Sequence, residues 1–362
     1  MATTLPTAGP FARAAEGAGP PDVVGSRRVS AIVVAYGAEP WLERSVLALL
    51  ASEGVDADVI VVDNGCTDGG VSAVSAWDRV AVVRPGRNVG FTGGCNLGAA
   101  AAGGDVLAFV NPDAIVSPSC LAALAAAVEP AGVGLATASV RLATAPDRLN
   151  SAGNEIHMLG FSWSGHFDEP AERWAAPRDV TAASGAAMAA RRDVWTGLGG
   201  MVEELFAYYE DAELSLRCWQ QGWRVVYVPE AVVVHRYEFS RHPRKNELAE
   251  RNRLWLVLTL YERSTIVSLL PGLLAAEAAT LALACAGGWP GAKVRGWIWL
   301  SRHRRALLAA RRKAQGARVL SDGDLARLFV VRLDPGNYPL ARWLRPLDGL
   351  LGSYLSFVRR RL

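Results

Sequence analysis

The 362-residue sequence lacks paired cysteines: Cys66, Cys95, Cys120, Cys218 and Cys285 are odd in number, scattered and without a CxxC spacing. This excludes a disulfide framework and a cysteine zinc site, and fits a reducing compartment. An excess of one charge is also missing. A net charge of +3 over this length is too small for a chain that coats nucleic acid, so no nucleic-acid partner is expected. Residues 1–28 are rich in Ala, Gly, Pro and Thr and lack any apolar run. They are expected to form a disordered tail, and without the basic start and apolar stretch of a signal peptide the folded body is expected in the cytoplasm.

What is present is grease in an ordered pattern. Hydrophobic residues make up 51% and charged ones 20%, which excludes a wholly disordered chain and is rich for a soluble enzyme. At roughly 150 residues per domain, the length allows two domains or one with an appendage. Val29–Tyr36, Ala57–Asp63, Val80–Arg84 and Asp105–Val110 are short, Val-rich and nearly continuous, as strands buried on both faces are. Helix-length segments Pro40–Ser52, Asp68–Trp77 and Phe91–Ala102 lie between them. The alternation predicts an α/β fold with a parallel sheet covered on both faces, and ligands beyond the carboxyl ends of its strands. Residues 140–240 are less regular and are expected to complete the sheet and the acceptor side of a cleft.

Several segments at those strand ends can carry chemistry, and each also has a plain structural reading. Asp63 opens a turn (DNGCTDGG) where a carboxylate could bind a base or ribose; Thr67 or Asp68 could equally cap the next helix. The glycine-heavy run Arg87–Gly98 opens a helix as a phosphate cradle would, yet has neither GxGxxG nor GK[ST] spacing. In Asn111-Pro112-Asp113 the proline stops a strand. Asp113 could then hold a divalent ion against phosphates, or cap a helix starting near Ser117. Glu210, Asp211 and Glu213 begin an amphipathic helix, where the helix dipole favours them. One could instead face the cleft as a general base, with adjacent carboxylates raising each other's pKa. His235 ends another apolar strand.

In this order the pieces resemble family 2 glycosyltransferases of the GT-A fold. The likeness runs from Val29 to about Asn252 through VSAIVVAY, VVDNGCTDGG, RNVGFTGGCNLG, GDVLAFVNPDA, SGAAMAARRDVW, YYEDAELSLR and ERNRLW. Bacterial rhamnosyltransferase-like and galactofuranosyltransferase-like enzymes, which extend cell-envelope glycans on lipid carriers, are the most similar branch. The resemblance implies a Rossmann-like, mostly parallel sheet with helices on both faces over residues 29–242. It also implies an inverting transfer of rhamnose, galactofuranose or a similar sugar from a nucleotide-diphosphate donor to a glycan or glycolipid hydroxyl. Asp211 would be the base, with Glu210 beside it. Asp63, Asn88 and Gly90 would line the nucleotide, and Ser184 and Gly185 the donor sugar. Asp113 and His235 would hold Mg²⁺ or Mn²⁺. Asn111 stands where the family often has the first acid of its metal motif, leaving one carboxylate fewer. A non-catalytic nucleotide-binding scaffold would predict loss of the acids at 113 and 211, and both are present. A sugar nucleotidyltransferase would want Arg and Lys in a glycine-rich first turn, which here reads Gly37-Ala38-Glu39-Pro40.

Residues 243–362 read as a helical C-terminal region. Thr265–Gly288 is 24 residues long with Glu277 as its single charge, enough for the roughly 20 residues a bilayer needs. Pro271 and Glu277 interrupt it, and basic residues flank both sides, including nine Lys or Arg between Lys293 and Arg318. With both flanks positive, a helix lying on or re-entering the inner face of the membrane is expected over a single crossing. A buried helix of a soluble subdomain is the other reading.

Overall fold

The structure is a computed structural model that describes residues 27–236, 243–336 and 345–362. The disordered tail expected over residues 1–28 lies, up to residue 26, outside the described residues.

Strands β1 (Arg28–Gly37), β2 (Asp56–Cys66), β3 (Val80–Val83) and β4 (Val106–Val110) alternate with helices α1 (Leu42–Leu50), α2 (Gly70–Val74) and α3 (Gly90–Ala101). The chain continues through β5 (Ala114–Val116), α4 (Cys120–Ala127), β6 (Val133–Leu142), β7 (Ala145–Ser151), β8 (Asn154–Ile156), β9 (Ser162–Ser164) and β10 (Arg178–Asp179). It then forms β11 (Ala187–Arg191), α5 (Arg192–Leu198), α6 (Glu210–Gln220) and β12 (Arg224–His235). One ten-stranded sheet runs β10-β12-β6-β11-β4-β1-β2-β3, with β5 on β12 and β7 on β6. β1 pairs in parallel with β2 and β4, β2 with β3, and β6 with β12. β11 runs against both β4 and β6, so six of the eight strands along that path share one direction.

Strand side chains alternate between two cores. Ile32, Val34, Ile60, Val62, Leu107 and Phe109 join the core on one face; Ala31, Val33, Val59, Val61, Ala108 and Val110 join the other. Both faces are apolar, which is why the strands read as continuous hydrophobic runs. The bulkier face lies under α3, whose glycines make room for it. A Cβ at Gly94 would stand 2.6 Å from Val34 Cγ1, and one at Gly98 would stand 2.4 Å from Ile32 Cγ2. Most of the glycine-heavy run therefore serves close helix-on-sheet packing at interior density, and only its first residues meet the loop at Phe206. α2 is shorter than the expected Asp68–Trp77, and its N-cap is Gly69, with no side-chain cap.

The C-terminal region is helical: α7 (Lys245–Leu260), α8 (Arg263–Ala286), α9 (Pro290–Arg302), α10 (Arg304–Gly316), α11 (Asp322–Leu325) and α12 (Arg345–Arg359). α8 has the length and composition to cross a membrane, and only 17% of its most apolar window is buried. That corrects the buried-helix reading, since Val267, Leu270 and Leu274 are exposed. Glu277, however, faces inward. It pairs with Arg253 of α7 and with Lys293 of α9 (3.2 Å), and accepts a hydrogen bond from Trp297 Nε1 (2.7 Å). These cations hold its carboxyl below the usual carboxylate range against the opposing effect of burial. The basic run is also less uniform than its sequence. Lys293 is fully buried on Glu250 and Glu277, and Arg318 pairs with Asp322.

Candidate active site

The carboxyl ends of the parallel strands and the start of the reversed β11 meet at one edge. Asn111 follows β4, and its N–H donates to Ala186 O (3.0 Å) just before β11. Its neighbour Gly185 donates its N–H to Asp211 Oδ2 (3.0 Å). Two hydrogen bonds thus join the strand end carrying Asn111-Pro112-Asp113 to the helix start carrying Glu210 and Asp211.

At the strand end, β12 is fixed on both sides, with His235 opposite Leu142 of β6 and Ala114 of β5. His235 Nδ1 donates to Asn150 Oδ1 (2.9 Å) of β7, the tautomer assigned from this partner. Its Nε2 then faces Asp113 Oδ1 at 3.2 Å and Asn111 Nδ2 at 3.4 Å. Two acceptors so close repel unless a proton or cation lies between them, and a carboxylate plus an imidazole is a donor set that suits Mn²⁺ or Mg²⁺. Among the described residues no group of three or more His, Cys, Asp or Glu converges. An ion here would therefore take its remaining ligands from phosphate oxygens and water, as Mg²⁺ does in many phosphate sites. Asp113 does not cap the helix that follows: α4 starts at Cys120 with Ser119 as its N-cap.

At the helix end, Asp211 is held by three donors. Asn154 Nδ2 (2.9 Å) and the Gly185 N–H reach Oδ2, and the Ala212 N–H (2.7 Å) reaches Oδ1. Burial pushes its carboxyl up, and those donors oppose the shift. Glu210 is raised too, first by burial and then by the charge of Asp211. Glu210 Oε2 is buried with no hydrogen-bond partner. Donors stabilise the ionised form, so the hydrogen bonds favour the negative charge of the pair on Asp211 over Glu210. Glu213 leaves the list of candidate bases, being consumed by a buried bidentate pair with Arg217 (2.7 Å to each oxygen).

The segment leading into α6 is strained. Phe206, Tyr208 and Tyr209 have φ of +65°, +67° and +70°, a region that costs a non-glycine residue on the order of 1–3 kcal/mol. Gly90 closes on this segment from the start of α3. Its φ is +79°, and a Cβ there would stand 2.4 Å from Phe206 O. Asn88 Oδ1 accepts from the Gly90 N–H (2.8 Å) and from Asn64 Nδ2 (3.0 Å), while Asn64 Oδ1 accepts from the Val89 N–H (2.8 Å). Asn88 thus shapes the loop through its own side chain. Asp63 accepts from the Gly65 and Cys66 N–H groups and lies 3.6 Å from Arg84. Ser184 Oγ accepts from the Ala186 N–H (3.4 Å), and the Ser184 N–H donates to Thr137 Oγ1 (3.0 Å).

Sequence reasoning passed over Asn64, Asn150 and Asn154. Asn64 sits beside Asp63 in a quoted turn and was within reach. The other two are single amides in an irregular stretch, with partners 85 and 57 residues away, and nothing local marks them.

Residues 26–256 match the family model described as "Glycosyltransferase like family 2". The chain belongs to the family 2 glycosyltransferases. This glycosyltransferase is 28% identical over 259 residues to the N-acetylglucosaminyl-diphospho-decaprenol L-rhamnosyltransferase of Mycobacterium tuberculosis, covering 63% of this chain and 82% of that protein. It is 32% identical over 119 residues to the succinoglycan biosynthesis protein ExoO of Rhizobium meliloti, about a third of each chain (32% and 34%). Among solved structures it resembles GalNAc-T7 with UDP, GalNAc and Mn²⁺ (TM-score 0.57, 17% identity), over 67% of this chain and about half (49%) of that one. It also resembles S. aureus TarS 1–349 (TM-score 0.52, 15% identity), over 92% and 89% of the two chains. These likenesses bear out the expected GT-A fold.

Proposed function

We propose that this glycosyltransferase moves rhamnose, or a similar sugar, from a nucleotide-diphosphate donor to a hydroxyl of a lipid-linked glycan, with inversion at the anomeric carbon. The observation that carries this reading is the Asp211 carboxyl group, held by three donors and hydrogen-bonded to the loop next to Asn111. The rhamnosyltransferase relative, named for a diphospho-decaprenol acceptor, supports the choice of sugar and carrier.

Asp211 accepts the proton of the acceptor hydroxyl as its oxygen attacks the anomeric carbon. The new C–O bond forms on one face while the bond to the diphosphate breaks on the other, and the electron pair leaves with the nucleoside diphosphate. Burial makes Asp211 a stronger base than a surface carboxylate. Asp63, Asn88 and Gly90 line the nucleotide, and Ser184 and Gly185 the sugar. Asp113 and His235 would hold Mg²⁺ or Mn²⁺, and the bound ion supplies charge neutralisation of the leaving diphosphate. The test is Asp211→Asn assayed with dTDP-rhamnose, UDP-galactofuranose and UDP-glucose. Turnover of the preferred donor should fall by about 10²-fold or more while donor affinity holds. A variant that still turns over near the wild-type rate removes Asp211 from the role.

The exposed apolar side of α8 is suited to the inner face of the cell membrane. Exposed Arg302, Arg304, Arg305, Arg312 and Lys313 on α9 and α10 would meet anionic lipid. Glu277, turned inward onto Arg253 and Lys293, favours a helix lying along the surface over one crossing it. Detergent-free fractionation should find the full chain with membranes, and recovery wholly in the soluble fraction at low salt would exclude this placement.

A further inference from the structure

The ERNRLW segment forms part of α7, and two of its side chains reach away from the helix to the strained loop before Asp211. Asn252 Nδ2 donates to the carbonyls of Leu205 (2.9 Å), Ala207 (2.9 Å) and Tyr208 (2.8 Å). Arg251 Nη2 donates to Glu204 O (2.6 Å) and Leu205 O (2.9 Å), and Arg251 Nε fixes Asn252 Oδ1 (2.9 Å). Asn252 is fully buried and Arg251 nearly so, and the guanidinium lies over the Trp299 ring of α9 at 3.9 Å. From the opposite side, the Thr92 N–H and Oγ1 both reach Phe206 O (3.2 and 3.4 Å). Every carbonyl from 204 to 208 therefore accepts from outside the loop: those of 204, 205, 207 and 208 from α7 side chains, and that of 206 from Thr92 of α3. Left-handed backbone at Phe206, Tyr208 and Tyr209 persists only where the surroundings over-determine it, and these donors do so.

We propose that Arg251 and Asn252 are positioning residues: they hold the 204–208 backbone in the shape that sets Asp211 at the reacting hydroxyl, so that turnover depends on them and donor binding does not. The proposal rests on Asp211 being the base. A residue that only stabilised the fold would lower thermal stability and leave the split between turnover and donor affinity unmoved.

The experiment uses the full chain with dTDP-rhamnose and an N-acetylglucosaminyl-diphospho-polyprenol acceptor, comparing Asn252→Ala, Asp211→Asn and the double variant. Asn252→Ala should lower kcat by about 10²-fold, the scale of a small misplacement of reacting groups, with the Kd of dTDP unchanged within about twofold. Amide hydrogen exchange at residues 205–209 should speed up by about tenfold or more, with β1 unchanged. On the Asp211→Asn background, the same substitution should cost no more than about twofold, because both act through one group. If Asn252→Ala does not fold, Arg251→Lys carries the same readouts, since a single ammonium cannot reach the two carbonyls and Asn252 Oδ1 together. Wild-type exchange at 205–209, or near wild-type kcat in the clamp variant while Asp211→Asn is inactive, overturns the clamp alone. An active Asp211→Asn overturns the base assignment and the clamp with it.

Discussion

The two ends of the candidate site are built in different ways. At one end His235 and Asn111 sit at or just after the ends of sheet strands, Asp113 just before one, and Asn150 within one. The backbone there is fixed by sheet ladders and the short turn between β4 and β5, and Asn150 meets His235 Nδ1 to orient its ring. At the other end Asp211 follows a loop with three left-handed non-glycine residues. It is placed by Asn154, Gly185, Thr92, Arg251 and Asn252, drawn from four separate parts of the chain. The first kind of precision comes free with the fold, whereas the second has to be assembled from side chains.

The contrast can be broken experimentally. Asn150→Leu removes the acceptor for His235 Nδ1 and should cost about 10- to 100-fold in Mn²⁺ affinity, the usual scale for a group that orients a metal ligand. Electron paramagnetic titration of Mn²⁺ against the full chain measures it, and hydrogen exchange at 205–209 should stay as in wild type. Unchanged affinity would mean that the sheet alone orients the imidazole. Gly90→Ala acts on the loop end. Its Cβ would enter the space of Phe206 O at a positive φ, and we expect a loss of about 2 kcal/mol in stability and about tenfold in kcat. Thermal melts and steady-state rates check both. Gly185→Ala should do least. Its Cβ would stand an ordinary 3.5 Å from Asp211 Oδ2 and its N–H is retained, so kcat should stay within about threefold of wild type. A large loss there would show that the sugar pocket, and not only the hydrogen bond, requires a glycine.

The same contrast explains what could be read in advance. Val29–Tyr36 and Asp105–Val110 stood out because strands covered on both faces are apolar throughout, and the structure places them at Arg28–Gly37 and Val106–Val110. Asp63, Asn111, Asp113 and His235 stand out because polar residues at the ends of such runs fall on the edge where open α/β sheets bind ligands. Asp211 showed through its acidic helix start, although Glu213 looked equally eligible until its pairing with Arg217 was seen. Asn154 and Asn252 had no comparable mark. An amide chosen by a carbonyl or carboxylate some 45 to 57 residues away leaves no period and no local pattern. The apolar run of α8 was plain, while the partners of Glu277 depended on how α7 and α9 cross.

Helix α7 has one more consequence, for anyone who would shorten the protein. Arg251 and Asn252 grip the loop before Asp211, and the next residue, Arg253, meets Glu277 on α8, which in turn neutralises the buried Lys293 on α9. A cut ahead of Lys245 strips the loop of its α7 donors and leaves it Thr92. A cut after Leu260 keeps those donors but leaves Arg253 the more distant Glu250 at 3.9 Å as its carboxylate, and breaking a buried ion pair in that way costs about 3–5 kcal/mol. The smallest piece with an intact base therefore extends through α9, and it carries the greasy helix with it.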